Sequence, residues 1–136
     1  MRTMLAVLAL ASMARAEALK PTMKWSGRVS NEAAAAKPAT GYVSGPKELA
    51  KLWKAWKIGD KPPAIDFKKE IVLVVTSQGS GIGVDLHLDK GDLTNMGAFT
   101  DDLGTDTGYV IVAVPSKGVK TVYGKPLKLE LKPEEP

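Results

Sequence analysis

From Thr22 to Ser30 the chain alternates, with Met23, Trp25, Gly27 and Val29 on one side and Lys24, Ser26 and Arg28 on the other. A period of two predicts a half-buried strand. Asn31 to Thr40 holds four consecutive alanines before Lys37-Pro38 and reads as a loop or a single helical turn. Gly41 to Ser44 suggests a second short strand. Between Gly45 and Lys57 the period changes: Leu49, Leu52, Trp53 and Trp56 follow i, i+3, i+4, i+7 spacing and make one apolar stripe. Pro46 suits the first helical position, and Glu48 sits in the first turn, where the helix dipole favours a carboxylate. Gly59-Asp60-Lys61-Pro62-Pro63 predicts the stop.

Beyond Asp66 the pattern is β. Ile71 to Val75 and Tyr109 to Val114 are apolar at every position, as expected of strands covered on both faces. Between them, Val84, Leu86 and Leu88 alternate with Asp85, His87 and Asp89. Asp89-Lys90-Gly91-Asp92 is a tight turn in which Gly91 is able to take positive φ. Leu93 to Phe99 reads as a weaker strand, and Asp101 to Thr107 as a polar loop. Val119 to Tyr123 follows, and Leu127, Leu129 and Leu131 alternate with Lys128 and Glu130. The expected fold is α+β: a mostly antiparallel sandwich or partly open barrel of about seven strands, with one amphipathic covering helix.

The ends set the expected domain limits. Met1-Arg2-Thr3 followed by the apolar Met4–Ala11 and by Ala14-Arg15-Ala16 has the form of a cleavable export signal over residues 1–16. Its apolar run is shorter than the ~20 residues needed to span a bilayer. Residues 17–21 read as a linker, 22–131 as a single globular domain and 132–136 as a solvated tail. The chain has no Cys, so an exported form has neither disulfides nor a lipidated cysteine. That favours a secreted or periplasmic bacterial setting. Losing Arg2 and Arg15 with the signal brings the net charge of +4 closer to neutral, which is no nucleic-acid footprint.

Catalytic chemistry is hard to assemble from this inventory. His87 is the only imidazole, and Ser77, Ser80 and Ser116 are the serines a triad would draw on. Gly79-Ser80-Gly81 lies between strands rather than in a strand-turn-helix nucleophile elbow. No catalytic residue and no cofactor are expected. Asp85, His87 and Asp89 share one strand face and form a candidate divalent-ion site, set against a plain polar face. Asp101-Asp102-x-Gly104-x-Asp106 lacks the closing Glu of a calcium loop and reads as a turn. The glycines at 79, 81 and 83 precede a strand, so they make no phosphate loop. Gln78, Gly79, Ser80, Gly81, Ile82 and Gly83 are instead the candidate binding loop, with a hairpin connection as the plain alternative. Lys47, Lys51 and Lys54 share the outer helix face, where solvation is the commoner role.

Read together, Pro46-Lys47-Glu48-Leu49 with Leu52-Trp53, Ile65-Asp66-Phe67 leading into Ile71–Val75, the Gln78–Gly83 turn and Tyr109–Pro115 resemble one family. Their order is similar to the C-terminal domain of the PrcB-type protease-complex proteins, over about residues 42–123. The resemblance implies an exported, non-enzymatic domain that associates with or stabilises a secreted or envelope protease. Here the family's aromatic-bearing turn is Ser80-Gly81-Ile82-Gly83, without the aromatic, and no lipobox Cys is present.

Overall fold

The computed structural model describes residues 17–79, 81–100 and 106–129. Its elements in order are β1 (Glu17–Leu19), β2 (Met23–Ser30), a 3-10 turn (Ala33–Ala36), β3 (Tyr42–Val43), α1 (Pro46–Ala55), β4 (Glu70–Ser77), β5 (Leu86–Asp89), β6 (Asp92–Asn95), β7 (Asp106–Pro115), β8 (Thr121–Val122) and β9 (Lys125–Pro126). One sheet has the order β2-β7-β4-β3 and the other β1-β5-β6-β8-β9. The pairings are antiparallel except β6 with β8. Those two strands run parallel because β7, which lies between them in sequence, belongs to the other sheet. The sheets stack as a sandwich and do not close into a barrel.

The architecture has three layers: helix, four-stranded sheet, five-stranded sheet. In β4 and β7 successive side chains point to opposite faces, and both faces are covered. Val72, Val74, Tyr109, Ile111 and Ala113 meet Leu49, Leu52, Trp53 and Trp56 of the helix. Ile71, Leu73, Val110, Val112 and Val114 meet Leu86, Leu93 and Val122 of the second sheet. The two all-apolar segments pair with each other along their whole length, Ile71 opposite Val114 and Val75 opposite Val110.

The helix starts at Pro46, as expected. Glu48 accepts hydrogen bonds from the Ser44 amide at 2.6 Å and the Ser44 hydroxyl at 2.9 Å, so it satisfies groups just ahead of the helix as well as facing the dipole. The helix ends earlier than the Gly59–Pro63 signal implies. Lys57 takes φ 51°, its amide bonds Lys54 O, and Ile58 N–H reaches back to Trp53 O at 3.1 Å. This is a Schellman closure with a lysine in the usual glycine position. Trp53 stacks edge-on against Trp25 of β2 with centroids 5.2 Å apart, and Trp56 lies 4.8 Å from Tyr109. The Trp56 indole donates to Ala33 O at 2.7 Å, which holds the alanine segment against the helix as a single 3-10 turn.

Some expectations are corrected. Residues 17–21 are not wholly a linker, because Glu17–Leu19 pairs with Leu86–Leu88 and Leu19 packs into the second core. The strand expected at Leu93–Phe99 stops at Asn95, whose side-chain oxygen takes the amides of Asp85 (2.8 Å) and Gly97 (3.0 Å). A side chain that bonds its own backbone two residues on makes a turn. Of the strand expected at Leu127–Leu131, residues 127–129 form none, because the chain pairs earlier as the β8–β9 hairpin, and residues 130 and 131 lie outside the described residues. Beyond Pro126 the backbone continues without a strand through residue 129, where Lys128 N–H donates to the Tyr42 hydroxyl at 2.9 Å. The export signal at 1–16 and the tail at 132–136 lie outside the described residues. Among the described residues no helix is long and apolar enough to cross a membrane.

Candidate functional site

The Gln78–Gly83 loop lies against residues 96–100. Gly83 N–H donates to Ala98 O at 2.7 Å, Thr100 N–H to Gly81 O at 3.2 Å, and Gly81 N–H to the Thr100 hydroxyl at 2.8 Å. Ile82 and Phe99 form a bridge. The loop is thus one side of a two-stranded ribbon, and its glycines are needed for close backbone approach. A Cβ built on Gly83 would stand 2.6 Å from the Ala98 amide and carbonyl, and one on Gly97 would collide with the Gly83 carbonyl. Gln78 is exposed, Gly79 buried, and Gly81, Ile82 and Gly83 half-buried; Ser80 lies outside the described residues. Ile82 turns inward to the second core.

The ribbon presents a feature the sequence reading overlooked. Met96 is 67% exposed and Phe99 47% exposed, on the segment facing the glycine loop. Among the described residues, they and Tyr123 are the exposed large apolar side chains. One signal was available for Met96: it lies out of phase with Leu93, so an alternating strand would turn it to solvent. Nothing local marks Phe99, which shares Leu93's parity and is carried outward only because the strand breaks at Asn95.

Arg28 of β2 ties this region to the sheet. Its Nε donates to Asp106 Oδ1 at 2.7 Å, its Nη2 to Asp106 O at 3.3 Å and its Nη1 to Gly79 O at 3.5 Å. Asp106 thereby has a structural partner. The rest of the segment read as a calcium-like turn, 101–105, lies outside the described residues.

The acidic face around His87 is only partly assembled. His87 Nε2 stands 3.1 Å from Asp85 Oδ1, and Asp89 lies opposite Asp92 at the hairpin end. Among the described residues no group of three His, Cys, Asp or Glu side chains is placed to hold a metal ion. Ser77 accepts from Gly79 N–H and Ser116 donates to Lys68 O, so these two candidate nucleophiles are engaged away from His87. A surface cleft of about 470 Å³ lies between Tyr42, Ser44 and Glu48 on one wall and Val122, Lys125 and Lys128 on the other. Two of its polar contacts are made within the walls: the Lys128 amide donates to the Tyr42 hydroxyl and the Ser44 hydroxyl to Glu48. Burial pushes the Tyr109 phenol above its ordinary pKa; its ring lies against Gly27. Burial of part of Tyr123 raises its phenol likewise. No protein-family model, curated protein or solved structure matches the chain.

Proposed function

We propose that the protein is an exported, non-enzymatic accessory module that binds another protein, with a secreted or envelope protease as the partner class. The resemblance of the 42–123 segment to the PrcB-type domain supplies the partner class and the exported setting. The observation that carries the binding reading is that Met96 and Phe99 are both exposed on a hydrogen-bonded ribbon whose backbones approach closely at Gly79, Gly83 and Gly97. Exposed apolar side chains on a rigid support suit a protein contact, because their burial is favourable and little ordering is needed on binding.

The test is capture of partners from the exported protein fraction by the wild type and by a Met96→Asp/Phe99→Asp double variant. The expected result is recovery of a protease by the wild type and loss of most of it by the variant, with an unchanged melting temperature. Equal recovery by both proteins would remove the ribbon from the reading.

A further inference from the structure

Strand β2 is an edge strand of eight residues, and among the described residues nothing covers its outer side. The chain turns inward at both ends. Before β2, Thr22 bonds Ala113 O and the Glu70 carboxylate. After it, Asn31 accepts from the Thr107 hydroxyl at 2.6 Å and Lys37 reaches Thr76 at 3.3 Å. Both connections cross β7 toward β4 and leave the edge open.

The direction of each backbone group on β2 follows from the ladder. Ser116 N–H donates to Lys69 O at 2.8 Å, in register with Glu70 opposite Pro115. In antiparallel pairs the bonded positions alternate, so Val114, Val112 and Val110 point their backbone groups at β4. Ala113, Ile111, Tyr109 and Thr107 therefore point theirs at Met23, Trp25, Gly27 and Val29. The N–H and C=O groups of Lys24, Ser26, Arg28 and Ser30 are left facing outward. Such a row is a template for another strand unless it is short, bulged, interrupted by Pro or guarded by charge, and the charges on β2 are Lys24 and Arg28. Between Met23 and Ser30 there is no Pro, and β2 stays in uninterrupted register with β7.

We infer that β2 pairs with β2 of a second copy of this chain, antiparallel about a two-fold axis at Gly27, joining the two four-stranded sheets into one. This register is selected by the side chains. Centring on Gly27 sets Lys24 opposite Ser30 and Ser26 opposite Arg28 of the other copy, and every outward backbone group from Lys24 to Ser30 finds a partner. It also sets Trp25 opposite Val29, in the closer, non-hydrogen-bonded type of pair that favours an aromatic beside a β-branched side chain. Centring on Ser26 would put Lys24 opposite Arg28, and centring on Arg28 would oppose two guanidiniums; like charges directly opposite are unfavourable. Centring on Trp25 carries Arg28 opposite Thr22, which is already bound to Ala113 and Glu70. The inference is independent of the ribbon and of any protease partner.

Sedimentation of the full chain over a concentration series, with three variants at Ser26, tests it. The wild type is expected to show a reversible monomer–dimer equilibrium. Ser26→Pro removes an outward N–H, costs no bond to β7 and is expected to abolish the dimer while the circular-dichroism melt holds. Ser26→Lys, opposite Arg28, should weaken the dimer by about threefold to tenfold, and Ser26→Glu should tighten it by a similar factor at low salt. A wild type that stays monomeric at every concentration overturns the inference, including the case in which it binds only a different protein. A dimer indifferent to Ser26→Pro, or one weakened by Ser26→Glu, overturns it as well.

Discussion

Two regions of the molecule bring backbone segments together by opposite means. In the β4–β7 pair, side chains do the holding: Ile71, Val72, Leu73, Ile111, Val112, Ala113 and Val114 are fully buried between the helix and the second sheet. In the ribbon formed by residues 78–83 and 96–100, side chains are withdrawn instead. Gly83 and Gly97 let the backbones touch, while Met96 and about half of Phe99 stay exposed to solvent. The first region concentrates the energy of folding, since burial of apolar surface is its main source. The second holds its shape by backbone contact and by Ile82 against the second core, and keeps Met96 and Phe99 exposed. A fold that puts its stability in one place leaves the other available for recognition.

The contrast can be broken first at the sandwich. Leu73→Ala removes a fully buried side chain between the two sheets and should cost about 2–5 kcal/mol, read from chemical denaturation. Gly97→Ala forces a methyl group into the Gly83 carbonyl and should cost about 1–3 kcal/mol. Hydrogen exchange would show where that cost falls: amides of Gly81, Gly83 and Thr100 should lose protection while those of β4 and β7 keep theirs. A uniform loss across both regions would mean that the ribbon and the sandwich form one cooperative unit.

A smaller effect comes from pH. Burial raises the Tyr109 phenol above its unfolded pKa, so the unfolded chain gives up this proton first on going alkaline. Stability from this group is complete below about pH 10 and declines as pH rises beyond it. Tyr109→Phe should flatten that alkaline decline in thermal melts without shifting the neutral-pH behaviour of the ribbon. The smallest stability change is expected at the exposed pair. Met96→Ser and Phe99→Ser should each move stability by no more than about 0.5 kcal/mol. A larger loss would show that these side chains belong to the folding core after all.

The same contrast explains what was legible in the sequence. Periodicity reports which side chains face apolar cover, so the two doubly covered strands, the Leu49/Leu52/Trp53/Trp56 stripe and the alternating β2 were readable from spacing alone. Gly79, Gly81 and Gly83 were visible as a cluster, yet a glycine that permits close approach and a glycine in an open loop look identical in sequence. The partner in that approach, Gly97, lies fourteen residues beyond Gly83 in the chain and becomes relevant only through the fold. The early end of the helix depended on Lys57 adopting φ 51°, an uncommon conformation for lysine that no pattern announces. Asn95 ended β6 by bonding its own neighbourhood, which overrode an alternation that continued to Phe99.

The binding reading is tested most directly by a photo-reactive residue placed at Phe99, with a second placed at Lys51 on the outer face of the helix. After irradiation of the protein in its own exported fraction, the account predicts an adduct with a protease from position 99 and none from position 51. Adducts from position 51 alone, or none from position 99 in an otherwise folded protein, would contradict it.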